Sequence, residues 1–478
     1  MHRRSAVTTT GPWGFLLAIA TVVLMAVPAS AASIPPNFDV TAAPGNEAEN
    51  AIAINPTNPQ NVVAMSTLPD VPAGLRVGVS FDGGQTWTRQ LIGTGGQLGE
   101  ICCDQQLAWD RFGNLWMVYL LNTSDNVQVA VSKNGGLTFT KVTEIVPTKD
   151  TGSRSPKNSA SKRLHPRGTA SADQPSIAVG PNSVWVSYTS YPSSVVQASG
   201  ARIQGLGAFG GFTRPESVPT SAGRGNYGST AVGPDGQVMV IYQDQTNGQG
   251  GSHIYTSVDP DGFGKAGLTV PKLFARSRVG GFDYIAPQPH RSVDAEANLA
   301  WDRSGGPHDG RVYAIWTQER KNESDDMNIL FQSSDNDGVT WTSARRLNDD
   351  HTSNSQFNPA IAVDQATGNV GVSWYDARND SGTGGGGDTD GIPNTDAQVW
   401  ATASTNGGRT FMSNFRVSKG TSSAIAAGSY FDYGDYTEAA FQSGAFYPAW
   451  SDNSNSTGDN PDGRLHQLDL FTAKVVIP

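Results

Sequence analysis

The chain has 478 residues, among them 55 glycines, 28 prolines and 11 tryptophans, and a formal charge of −10. So much glycine and proline, with no long stretch of helical period, suits many short strands joined by tight turns. The length is large for one ordinary core but suits one closed ring of repeats, and the acidic balance argues against a nucleic-acid partner.

In chain order, the first feature is an address. His2, Arg3 and Arg4 precede the apolar run GFLLAIATVVLMAV, and Ala29-Ser30-Ala31 offers a small-residue cleavage site. Residues 1–31 read as a secretory signal peptide, so the expected product is extracellular, free of the membrane after cleavage, and a single domain over 32–478. The residues leave its oligomeric state open.

Seven strand-like stretches with a small central alanine follow: AIAI, QLAW, SIAV, STAV, NLAW, AIAV and EAAF, centred on Ala53, Ala108, Ala178, Ala231, Ala300, Ala362 and Ala440. They recur at intervals of 55, 70, 53, 69, 62 and 78 residues, the spacing of propeller blades rather than of a helical repeat. A turn and a second apolar strand follow most of them, as in LWMVYL, VWVSYT, VMVIYQ, VYAIWT, VGVSWY and FYPAW. In the first, second, fifth and sixth units a turn of one pattern comes next: SFDGGQTW at Ser80, SKNGGLTF at Ser132, SDNDGVTW at Ser334 and STNGGRTF at Ser404. The Asp or Asn can close a turn onto backbone N–H groups, the Gly supplies backbone freedom, and the aromatic anchors the turn. These segments resemble the Asp-box of sialidases and related propellers, where the motif is structural. The expected fold is an all-β, seven-bladed β-propeller, with a six-bladed sialidase-like ring as the alternative. HQLDLFTAKVVI supplies a late strand, and NFDVTA near the start could complete the last blade.

Four stretches between these elements carry separate signals. Cys102 and Cys103 are neighbours and the only cysteines, able to form an adjacent-residue disulfide or to stay reduced. A basic insert runs from Lys149 to Arg167 and contains His165; it reads either as a mobile cationic lid over an anionic ligand or as a solvated loop. NDSGTGGGGDTDGIPNTD from Asn379 and SDNSNSTGDNPDG from Ser451 offer oxygen ligands for a structural calcium through Asp380, Asp388, Asp390, Asp396, Asp452, Asp459 and Asp462. No other cofactor is implied.

Chemistry is expected where the inner strands begin and the second strands end. Four residues before each alanine stand Glu49, Asp104, Gln174, Tyr227, Glu296, Asn358 and Tyr436. All are polar, and the repeat places them around the channel mouth, either as a wet lining or as groups for acid-base work or cation binding. The second strands end near Asp376 and Arg378, in SWYDARND, and near Arg320. An arginine beside a fixed acid can fork onto a substrate carboxylate or form a structural ion pair.

Over most of the mature length the chain resembles the sialidase superfamily, although Arg76 lies in GLRVGVS and no Arg-Ile-Pro segment stands near the start. The resemblance implies a glycosidase on an anionic carbohydrate. It makes Tyr436 with Glu296 the activated phenol pair, Asp104 the acid-base, and Arg291, Arg320 and Arg378 the carboxylate clamp, with Asp376, Glu49 and Tyr227 as further substrate contacts. Two alternatives remain. One is a polysaccharide lyase acting on uronates through His290 or His165; the other is a propeller that binds glycan or protein without turnover.

Overall fold

The structure, a computed structural model, describes residues 34–148, 170–244, 248–295 and 297–478, together with Met1, His2 and Ala6. The apolar leader, the basic insert with His165, and Glu296 fall outside the described residues, as does the side chain of Tyr227.

Seven antiparallel sheets form the seven blades of a β-propeller. Their inner strands are Ala48–Ile54, Gly99–Trp109, Ser171–Val179, Asn226–Val232, Asn298–Trp301, Gln356–Val363 and Ala439–Gln442. Each contains one of the repeated alanines. Each touches the next, and the last returns to the first, so the ring is closed. Small residues suit these strands because the blades converge on the axis. Farther out the blades diverge and the gaps are filled by large side chains, among them the fully buried Trp116, Trp301, Trp316, Trp374 and Trp450. One axial cavity of 140 Å³ remains, lined by residues of all seven inner strands or their approaches, including Ile52, Leu107, Ile177, Thr230, Leu299, Ile361 and Glu438.

The four repeated turns share one hydrogen-bond scheme. The serine Oγ accepts from the backbone N–H of Gly84, Gly136, Gly338 or Gly408 at 2.9–3.0 Å. Asp82, Asn134, Asn336 and Asn406 accept from the N–H of Thr86, Thr138, Thr340 and Thr410 at 2.9–3.0 Å. The four glycines have φ of 73–94°, a conformation that a β-carbon would strain. All four turns join the third and fourth strands of their blades, where the exposed backbone of a tight connection needs local acceptors.

The two ends of the chain share the seventh blade. Its first three strands come from the C-terminal region, Ala439–Gln442, Ala445–Asp452 and Asp469–Ala473, and its outer strand is Asn37–Asp39. Asn37 pairs with Ala473, Phe38 with Thr472 and Asp39 with Phe471, and Val40 N–H donates to Leu470 O at 2.8 Å. This pairing gives the last blade its fourth strand from the other end of the sequence and so ties the ring shut.

Candidate functional site

The inner strands are not regular where they begin. Their pairing with the second strands slips between Ala48 and Ala51, Cys103 and Gln106, Asp173 and Ser176, and Phe357 and Ala360. At each slip one residue takes the left-handed conformation: Glu49 (φ 55°), Asp104 (55°), Gln174 (50°) and Asn358 (46°). Such a backbone is unfavourable for residues with a β-carbon, and its recurrence at one level of four blades marks a built feature. These are four of the seven polar positions that the repeat spacing singles out. The bulge breaks the strict two-residue alternation on which a regular strand would rely to aim them.

A hairpin between blades four and five completes the cluster. Its strands, Asp283–Ile285 and Gln288–Val293, deliver His290 and Arg291. Arg291 Nη2 donates to Asp435 Oδ2 at 2.6 Å and lies 3.5 Å from Glu49 Oε1, while its guanidinium sits 4.7 Å from the Phe431 ring centre. Gln174 bridges neighbours: its N–H donates to Asp104 Oδ2 at 3.1 Å and its Nε2 to Asp435 Oδ2 at 3.4 Å. Asn358 and Gln288 both donate to the carbonyl of Gly434, at 2.9 and 2.8 Å. Tyr436, next in the chain after Asp435, is buried.

The charges of this cluster do not balance. Glu49, Asp104, Asp294 and Asp435 are all buried, against one guanidinium among the described residues, that of Arg291. Burial, with the nearby Asp435 and Asp104, raises the Glu49 carboxyl well above the ordinary carboxylate range. Burial likewise raises Asp294. Burial works against the charge on Arg291, but Asp435, Glu49 and Asp104 outweigh it and keep the guanidinium protonated. A carboxyl that burial shifts toward its protonated form, beside an ion-paired carboxylate, is the arrangement general acid-base chemistry needs.

Solvent reaches this cluster at several side chains, Arg291 and His290 among them. Arg291 is 31% exposed, and the His290 side chain is 50% exposed. The His290 ring is held from behind, with Nδ1 3.0 Å from Oδ1 of the fully buried Asp432, whose Oδ2 also accepts the backbone N–H groups of His290 and Arg291 at 2.6 and 3.0 Å. Tyr284, on the same hairpin, and Tyr430, beside Phe431, are exposed aromatic surfaces.

Other sequence-selected residues are placed differently. Arg378 pairs with Asp376 at 2.7 Å and Asp349 at 2.8 Å, donates to Asn414 at 2.9 Å and lies over the Trp400 ring at 4.2 Å. Asp376 also accepts from Trp374 Nε1 at 2.7 Å. Arg320 is largely exposed and pairs with Asp326 at 3.5 Å. Among the described contacts, none joins Arg320 or Arg378 to Arg291. Cys102 and Cys103 are joined as an adjacent-residue disulfide, immediately before Asp104 in the inner strand of blade two. Asp432, Asp435 and the pairing of His290 with Asp432 complete the cluster. Asp432 and Asp435 lie in the acid-rich segment YFDYGDYTEAA, next to Tyr436, but nothing in the residues announced the hairpin that meets it.

Fold and site together define a seven-bladed β-propeller with an acidic, arginine-capped cluster where its inner strands begin. No family model matches the chain, and no curated protein matches it. Among solved structures it is similar to polysaccharide lyase Uly1, at 10% identity over 92% of this chain and 91% of that one with a TM-score of 0.47. It is similar to a protein of unknown function from Dyadobacter fermentans, at 12% identity over 93% and 99% with a TM-score of 0.48. A Hadza microbial sialidase, Hz136, aligns at 14% identity over 87% and 73% with a TM-score of 0.43.

Proposed function

We propose that this propeller is a carbohydrate-active enzyme that cleaves a glycosidic bond at the Arg291–Asp435–Glu49 cluster. The observation that carries this reading is the buried, unbalanced group of carboxylates under one partly exposed arginine. Glu49, shifted toward its protonated form by burial, supplies the proton for a departing glycosidic oxygen. Asp104 and Asp435 are the carboxylates that stabilise positive charge at the anomeric carbon or activate water. In the sialidase resemblance it is instead Tyr436, next after Asp435, that attacks that carbon, with Glu296 drawing off its phenol proton.

An anionic sugar fits because Arg291 covers the carboxylates. A substrate carboxylate can replace Asp435 as the partner of the guanidinium, one anion for another, which uncovers the acids beneath. Exposed Tyr284 and Tyr430 offer flat faces for a sugar ring.

One observation favours a second reading. His290, half-exposed and oriented by buried Asp432, is placed as a base beside Arg291. On a uronate it would take the proton next to the carboxylate, and the glycosidic oxygen would leave with the electron pair of its bond as a carbon–carbon double bond forms.

One assay separates the readings. Wild type, Asp435→Asn and His290→Ala are incubated with sialosides, uronides and neutral glycosides, following both reducing ends and ultraviolet absorbance of unsaturated sugars. Hydrolysis predicts reducing ends without absorbance and a loss of at least about 100-fold in Asp435→Asn. Elimination predicts absorbance that His290→Ala abolishes. Turnover of no glycan, with retained glycan binding, would leave a binding propeller.

A further inference from the structure

The loop 377–397 joins the second and third strands of blade six, and it folds the glycine-rich acidic stretch back on itself. Asp380, Asp388 and Asp396 each bring a carboxylate oxygen within 4.8 Å of the others. That is about the separation of two oxygens bound on opposite sides of one calcium ion, whose ligand distances run ~2.3–2.6 Å.

Backbone N–H groups of the loop reach both oxygens of Asp380, both of Asp388 and Oδ2 of Asp396. Asp396 Oδ1 is different: it is buried on a residue with 0% exposure and, apart from the nearby Ser423 hydroxyl, has no hydrogen-bond partner. Asp380 is also fully buried. Among the described residues, no lysine, arginine or histidine forms an ion pair with any of the three. Three converging acids with a buried oxygen that no backbone N–H reaches and no cation from the chain are costly unless protons or a metal ion neutralise them.

We propose that Asp380, Asp388 and Asp396 bind one calcium ion that fixes the loop of blade six. All the donors are hard oxygens, the kind calcium takes. The loop is tied to the rest of the ring just beyond Asp396: Ala397 exchanges backbone hydrogen bonds with Ser422 at 2.9 Å in each direction. Two residues on, Ala424 N–H donates to Tyr433 Oη at 3.1 Å, in the segment that carries Asp435. Calcium therefore stiffens a loop and the segment behind the arginine-capped cluster, whether or not that cluster is catalytic.

The test is a calcium titration of the full chain after chelation, by calorimetry and by thermal unfolding. The expected result is one ion per chain, with Kd on the order of 10⁻⁴–10⁻³ M. At ten times Kd the folding constant should rise about tenfold, moving Tm upward. Asp396→Asn should weaken binding at least tenfold, and Asp388→Asn, at a half-buried position that tolerates the change more easily, should do the same. Asp235→Asn, on an exposed turn of blade four, should bind as wild type. No heat and no Tm shift at ~10 mM calcium, or an Asp388→Asn chain that binds like Asp235→Asn, would overturn the assignment.

Discussion

Arg291 and Asp435 come from segments 144 residues apart in the chain, yet their side chains meet at 2.6 Å, beneath a partly exposed face and against a second acid, Glu49. The hairpin that carries Arg291 and the approach to blade seven that carries Asp435 are each shaped by hydrogen bonds to Asp432 and Gly434. The pair therefore reports on the cluster as a whole.

Removing the arginine leaves buried carboxylates without their cation. Arg291→Ala should lower stability by about 3 kcal/mol, the low end for a broken buried pair because the guanidinium is partly solvated. Arg291→Lys should fall in between, since a lysine restores charge but not the fork. Urea unfolding of the two variants checks this, and equal stability in Arg291→Ala and wild type would refute it.

Stability should fall as pH rises through neutrality. Burial raises Asp39 to about 6, Glu47 to about 7 and Glu438, in the axial cavity, to about 8. Between their unfolded values near 4 and these folded values, the native state holds more protons than the unfolded chain, so each increment of pH favours unfolding. Chemical denaturation from pH 5 to 8.5 should show the decline. Glu438→Gln should flatten its upper part, because the Ile52 N–H that the carboxylate accepts at 3.2 Å can still meet an amide oxygen.

Ring closure can be tested at one close approach. A β-carbon on Gly78, in the third strand of blade one, would run into Val40 Cγ1 beside the closing strand, and Val40 is fully buried. Gly78→Ala should cost about 1–3 kcal/mol by overpacking. Val40→Ala alone should also destabilise, by leaving space, but the double variant should be less unstable than the sum of the two. Strict additivity would mean that the two positions do not meet.

The repeated turns predict an asymmetry at Asp82. Asp82→Asn should be nearly neutral, since Asn134, Asn336 and Asn406 close the same turn through the same Oδ1 contacts. Asp82→Ala should cost on the order of 1 kcal/mol, because the N–H groups of Gln85 and Thr86 lose their acceptor. Thermal unfolding of the pair distinguishes them; equal Tm values would show that the side chain is dispensable.

The ring was legible in the residues because repetition amplifies weak local signals. One alanine between apolar residues means little, but seven at intervals of 53–78 residues locate seven inner strands, and NFDVTA was readable as the missing strand of the last blade. The repeat spacing also marked Glu49, Asp104, Gln174 and Asn358, which share a left-handed backbone at a bulge. The insertions were harder to read because they break the period. The hairpin with His290 and Arg291 has no counterpart in the other blades, so only the folded chain shows that it meets Asp432 and Asp435. Arg378 shows the opposite difficulty: SWYDARND offers an arginine beside an acid, and a sequence cannot tell a guanidinium held by Asp376, Asp349 and Trp400 from one free to bind substrate. The acidic loop of blade six lies between these cases, since its aspartates were visible but not which three converge.

The most direct test is turnover of acidic glycans by wild type and by Asp435→Asn, with unfolding curves to show that both chains are folded. The account predicts reducing-end release by the wild type and a loss of at least about 100-fold in kcat for the variant. An Asp435→Asn chain that cleaves glycans at the wild-type rate would contradict it.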